Sequence, residues 1–92
     1  MSAGDYELVL TPPARRALTD SLPEAVATAV VNFLTTALVE RPTQVGKPLQ
    51  APLVGVWSAR RGSYRVLYRL HHPRREVVVL RIEHRRDAYR PH

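Results

Sequence analysis

Apolar and polar positions along this 92-residue chain change rhythm twice. Tyr6-Glu7-Leu8-Val9-Leu10 alternates weakly over a short span and predicts a first strand. Thr11 then precedes Pro12-Pro13, a capping hydroxyl followed by proline in the first turn, which predicts a short helix to about Asp20. Ala14, Ala17 and Leu18 would form its apolar side, with Arg15 and Arg16 on the other. Ser21-Leu22-Pro23-Glu24 has the form of a capping box. Behind it Leu22, Val26, Ala29, Val30, Phe33, Ala37 and Leu38 recur at spacings of three and four, the signature of an amphipathic helix. That run stops at Glu40-Arg41-Pro42, because proline disfavours helical backbone in the residue before it. Two helices so closely joined predict an antiparallel helical hairpin.

Residues 42–54, with Pro42, Gly46, Pro48 and Pro52, read as a loop. The rhythm then becomes period two. Val56–Arg60, Tyr64–His71 and Glu76–Glu83 predict three strands, separated by turns at Arg61-Gly62-Ser63 and at His72 to Arg75. In the middle strand Tyr64, Val66, Tyr68 and Leu70 share one face, and Arg65, Leu67, Arg69 and His71 the other. The order β-α-α-β-β-β predicts an α+β fold of one domain over residues 1–92. A helical hairpin would pack on a mostly antiparallel twisted sheet and leave the other sheet face partly open.

Charge sharpens this picture. Residues 1–54 carry four basic and five acidic side chains, whereas residues 55–92 carry ten arginines against Glu76, Glu83 and Asp87. The net charge of +6 therefore resides in the C-terminal part, and it points to a polyanionic partner. Thirteen of the fourteen basic residues are arginine, whose planar fork suits phosphate and stacks on bases. With no cysteine, disulfides and thiolate metal sites are excluded. The first residues show no secretory pattern and no apolar run is long enough for a membrane span, so a cytoplasmic protein is expected. Gly46-Lys47-Pro48-Leu49 lacks the spacing of a phosphate loop. His71 and His72, adjacent at a strand end, would point to opposite faces and make poor co-ligands for one metal. No metal or other cofactor is expected.

Two segments carry a resemblance. Gly55-Val56-Trp57-Ser58-Ala59-Arg60-Arg61-Gly62-Ser63-Tyr64-Arg65-Val66-Leu67-Tyr68 resembles the hairpin of the RelE toxins, and Arg81-Ile82-Glu83-His84-Arg85-Arg86-Asp87-Ala88-Tyr89-Arg90 resembles the I-x-H-R-x-x-x-Y ending of the same family. The element order and the Gly-Lys-Pro-Leu segment agree with it. The resemblance implies the toxin of a type II toxin–antitoxin module, a metal-independent endoribonuclease that cuts mRNA in the A site of the 70S ribosome. The 2′-hydroxyl of one nucleotide would attack the adjacent phosphate, which calls for charge stabilisation, proton transfer and base stacking. It also implies a RelB-like antitoxin as partner.

On this resemblance Arg65 and Arg85 match the family's phosphate-stabilising arginines, and Tyr89 matches its terminal tyrosine. His84 is the nearby side chain whose type titrates near neutrality, a candidate acid or base. Arg60, Arg61, Arg81 and Lys47 are expected to hold RNA backbone. Trp57 reads as core or as a sheet-face platform and Tyr68 as core. The chain departs from the family where one branch has two lysines, here Val56 and Ser58, and where another has a loop glutamate, here absent because Leu49 follows Pro48 directly. That leaves the general base open. Two alternatives share the fold: a ParE-like inhibitor of DNA gyrase, and a degenerate module that binds RNA or antitoxin without cutting.

Overall fold

The computed structural model describes residues 5–85. A single five-stranded sheet is covered on one face by helices. Its strands are β1 (Glu7–Leu10), β2 (Lys47–Pro48), β3 (Trp57–Arg61), β4 (Tyr64–His71) and β5 (Glu76–His84), in spatial order β1-β5-β4-β3-β2. β5 pairs parallel to β1 and antiparallel to β4, and the remaining pairs are antiparallel. The helices are α1 (Pro12–Arg16), α2 (Glu24–Phe33) and the single turn α3 (Pro42–Val45). α1 and α2 each continue into a π-helical turn, Ala17–Ser21 and Leu34–Leu38. Threonines bond back to carbonyls of the preceding turn around both: Thr19 to Arg15, and Thr35 and Thr36 to Val31 and Asn32. Such back-bonding loosens the α-helical ladder.

The α+β architecture agrees with the sequence pattern, with three local corrections. The loop expected over 42–54 contains α3 and β2. Pro42 opens a new helical turn as well as ending the previous helix, and Pro48 is tolerated because β2 is an edge strand. The capping box at Ser21 does not form. Ser21 belongs to the last turn of the first helix, Leu22 is extended, and Pro23 sits at the start of α2 with no side-chain cap. Ala29, placed on the apolar stripe by its spacing, is exposed, while Leu34 is buried beside Val30, Phe33 and Leu38.

The core lies between the helices and the sheet. Val30, Leu34 and Leu38 meet Ala59, Val66, Tyr68, Val77 and Val79, all at most 1% exposed. Tyr68 donates from its hydroxyl to the Pro42 carbonyl at 2.5 Å, so its polar end is satisfied inside the core. Burial pushes its phenol up to about 12. Gly46 makes room for that hydroxyl: a Cβ there would collide with the Tyr68 oxygen and lie 2.9 Å from the Ser58 carbonyl.

β5 contains the feature that decides which side chains reach the open face. Up to Val79 its inward residues are Val77 and Val79, but beyond it the inward residue is Ile82. Tyr68 pairs with Val79 and Leu67 with Arg81, so Leu80 is the extra residue of a bulge. Thr11 stabilises it. Its hydroxyl donates to the Val79 and Leu80 carbonyls at 3.0 and 2.8 Å, and its oxygen also accepts the Ala14 N–H that caps α1. The bulge reverses the phase of β5, turning Arg81 and Glu83 outward and Ile82 inward.

Candidate active site

The open face of the sheet is organised in rows across the strands. One row runs Lys47, Ser58, Leu67, Arg81, read from the register of β2, β3, β4 and β5. The next runs Arg60, Arg65, Glu83, displaced by two residues, about 7 Å along the strands. Arg60 and Arg65 face each other directly, a repulsive cross-strand pair. Glu83 relieves this on the other side of Arg65, whose Nε donates to Glu83 Oε1 at 3.0 Å while Nη2 donates to the same oxygen. Arg65 is still half exposed.

At the end of this second row lies a shallow cavity of about 210 Å³. Its walls are Arg60, Tyr64 and Arg65 from the hairpin and Glu83, His84 and Arg85 from the end of β5, with the Gly62-Ser63 turn between them. The turn is tight because Arg61 pairs with Tyr64 across only two residues, and Gly62 adopts the positive φ of 53° that such hairpins require. The Arg85 N–H donates to the Ser63 carbonyl at 2.6 Å, tying the end of β5 to the turn and holding both walls together. Among the described residues, three guanidiniums and one carboxylate thus surround a space that takes a small anionic group. Burial raises the Tyr64 phenol above its ordinary 10.0, with Arg61 pulling the other way, so at neutral pH it offers a neutral hydroxyl.

The structure therefore brings Arg60, Arg65, His84 and Arg85 together. His84 pairs with Tyr64 and, by strand alternation, leaves β5 on the side opposite Glu83, so the cavity wraps around the strand end. Lys47 and Arg81 share the open face but lie outside the cavity, one row away. Arg61 departs from the RNA-facing placement expected of it. It belongs to the helix-covered side, where its guanidinium carbon sits 4.8 Å from the Phe33 ring centroid. Trp57 is also on that side, stacked on Tyr68 with centroids 6.3 Å apart, which selects the core reading over the platform. Tyr89 lies outside the described residues, as do Arg86, Asp87 and Arg90.

Glu83 is the site residue the sequence did not single out. Continued without interruption, the pairing of β4 with β5 would set Ile82 opposite Arg65; the bulge at Leu80 substitutes Glu83. The available signal was the slip in apolar rhythm from Val77 and Val79 to Ile82. Among the described residues no three His, Cys, Asp or Glu side chains gather in a metal-holding arrangement, and no helix is long and apolar enough to cross a membrane.

Similarity to known proteins identifies the family. A family model described as the ParE toxin of a type II toxin–antitoxin system, parDE, matches residues 8–89. Toxin RelG of Mycobacterium tuberculosis is 47% identical over 85 residues, covering 92% of this chain and 97% of the relative. Toxin RelE of the same organism is 40% identical over 85 residues, covering 92% and 87%. In the crystal structure of the toxin–antitoxin complex RelBE2 from M. tuberculosis, a chain of 46% identity superposes with a TM-score of 0.85, covering 88% of this chain and 99% of its own. The chain belongs to the RelE/ParE toxin family of type II toxin–antitoxin systems.

Proposed function

We propose that this toxin is a ribosome-dependent endoribonuclease that cuts mRNA in the A site and acts without a metal. The observation that carries the reading is the convergence of Arg60, Arg65 and Arg85 with His84 on one cavity at the end of a basic sheet face. An attacking 2′-hydroxyl loads negative charge onto the phosphate oxygens, and guanidiniums fixed before the reaction stabilise that charge without reorganising. Arg65 and Arg85 take this role. Arg60 lies beside Arg65 where the RNA strand would enter, and Lys47 and Arg81 lie one row further, suited to the backbone of the flanking nucleotides. His84 supplies one proton transfer, and Tyr89 supplies a base-stacking surface or helps orient the reacting hydroxyl. The inhibitory partner is a RelB-like antitoxin, since the structural relative of 46% identity is itself described as a toxin–antitoxin complex. A strongly basic face favours fast, salt-sensitive capture by an acidic chain. The site of action is the cytoplasm, where translating ribosomes are.

The description of the matching family model as ParE supports a second reading, inhibition of DNA gyrase. One experiment separates the two. Purified toxin is added to a translation reaction programmed with a defined message, and in parallel to a gyrase supercoiling reaction. Cuts at ribosomal A sites with undisturbed supercoiling are expected. Intact message together with arrested supercoiling would overturn the endoribonuclease reading in favour of the ParE-like one.

A further inference from the structure

We infer that Glu83 is the general base of this toxin, with His84 as the general acid. The inference rests on the endoribonuclease reading above and assigns the base which that reading leaves open. Among the described residues Glu83 is the only carboxylate lining the cavity. It sits directly opposite Arg65 in the β4–β5 register, and both hydrogen bonds from Arg65 go to its Oε1. Among the described residues no hydrogen bond to Oε2 is found, so one oxygen is fixed by the phosphate-binding arginine while the other is available to a hydroxyl. A base anchored to the group that binds the phosphate stands where the neighbouring 2′-hydroxyl must be.

The position of His84 fits the second half of the reaction. In-line displacement needs proton acceptor and proton donor on opposite sides of the phosphorus. Consecutive residues of a strand leave on opposite sides, and Glu83 and His84 are consecutive, both lining the cavity at the strand end. In the step, the Glu83 carboxylate takes the 2′-hydroxyl proton and the 2′-oxygen forms a bond to phosphorus. The bond from phosphorus to the 5′-oxygen breaks, and that oxygen takes the proton of the His84 imidazolium. The products are a 2′,3′-cyclic phosphate and a 5′-hydroxyl, and exchange with water restores both side chains. Arg65 and Arg85 hold the phosphate meanwhile, and Tyr64 contributes a neutral hydroxyl to the wall.

The test uses the full-length toxin on ribosomes carrying a defined message, comparing wild type, Glu83→Gln and His84→Gln across pH. Glu83→Gln should cut about 10²- to 10⁴-fold more slowly while binding the message as tightly or more tightly. Wild-type rate should fall on the alkaline side of its pH profile, where a general acid has lost its proton, and His84→Gln should lose that fall. Two results overturn the assignment. If Glu83→Gln cuts as fast as wild type or faster, Glu83 only restrains Arg65. If His84→Gln instead loses the rise on the acid side, His84 is the base; this readout stands even if Glu83→Gln fails to fold. A positioning role for Glu83 would lower the rate equally at every pH, whereas loss of the base removes the rise on the acid side. Absence of wild-type cutting would overturn the parent reading as well, which separates that failure from this one.

Discussion

The two faces of β4 are built from the same eight residues and do opposite work. Tyr64, Val66 and Tyr68 point toward the helices and are buried, with Val66 and Tyr68 wholly so. Arg65 and Arg69 point away and are exposed. The inner face is closed, and the Tyr68 hydroxyl reaches the Pro42 carbonyl. The outer face concentrates charge, setting Arg60 directly across from Arg65. Repulsion of that kind weakens a fold and strengthens the hold on an anion. Stability and function should therefore separate by face, with inner substitutions changing folding and outer ones changing RNA handling.

The sharpest attempt to break this separation is Arg65→Ala. If the outer face serves phosphate, cutting on the ribosome should fall about 10²- to 10³-fold, the usual loss when one fixed charge-stabilising donor is removed. Thermal unfolding should barely move, because an ion pair open to solvent on its Arg65 side contributes little to stability. Arg65→Ala that cuts normally but unfolds early would assign this arginine to the fold.

The pH dependence of stability probes the inner face. Below pH 10 both folded and unfolded chains keep the Tyr68 proton. As pH rises from 10 toward about 12 the unfolded chain loses it while the folded chain retains it, so stability declines across that window. A shift of this size corresponds to a loss of about 2–3 kcal/mol. The raised Tyr64 phenol adds in the same direction. Tyr68→Phe should flatten most of the decline in denaturant titrations at alkaline pH. An unchanged decline would mean that Tyr68 is not what the inner face protects.

Gly46→Ala tests how tightly that face is packed. Gly46 has φ of −133°, ordinary extended backbone, so alanine meets no conformational strain. Its methyl would instead enter the space of the Tyr68 hydroxyl. Overpacking of this kind costs about 1–3 kcal/mol, measured as a lower urea midpoint. Activity per folded molecule should hold. A midpoint at the wild-type value would show that the Tyr68 hydroxyl has somewhere else to go.

The separation of faces also explains what could be read in the sequence. Period-two alternation in 64–71 placed every residue of β4 on its correct face, because a strand buried on one side carries its register in its own pattern. The amphipathic helix was legible for the same reason, through to Ala37 and Leu38, although the stripe includes Leu34 and leaves Ala29 exposed. β2 escaped notice since a two-residue edge strand has no rhythm to detect. Glu83 shows the same limit at the site. Its neighbour Arg65 was identified from a motif, but the pair depends on one extra residue in a partner strand and on Thr11, about seventy positions earlier, accepting the task of holding the bulge. Pattern within a segment reports faces; it does not report register between segments.

Arg60 and Arg61 give the smallest effect and the most direct comparison, since they are adjacent, identical in type and divided between the faces. Composition treats them as one basic patch. Alternation separates them: Arg60 reaches the cavity, while Arg61 lies over Phe33 on the helix side. Arg60→Ala should weaken RNA binding and reduce its salt dependence, since one phosphate contact is lost and fewer counterions are released on binding. Arg61→Ala should do neither to the same degree. It should instead lower stability by about 0.5–1 kcal/mol, the usual strength of an exposed cation–π contact, or a few degrees in melting temperature for a domain of this size. Lysine at 61 would keep the charge but lose the planar stacking, recovering part of the stability and leaving the salt slope untouched. If the two alanine variants instead shift RNA binding and its salt slope equally, the charge acts as a diffuse field, and which face an arginine occupies does not matter for binding.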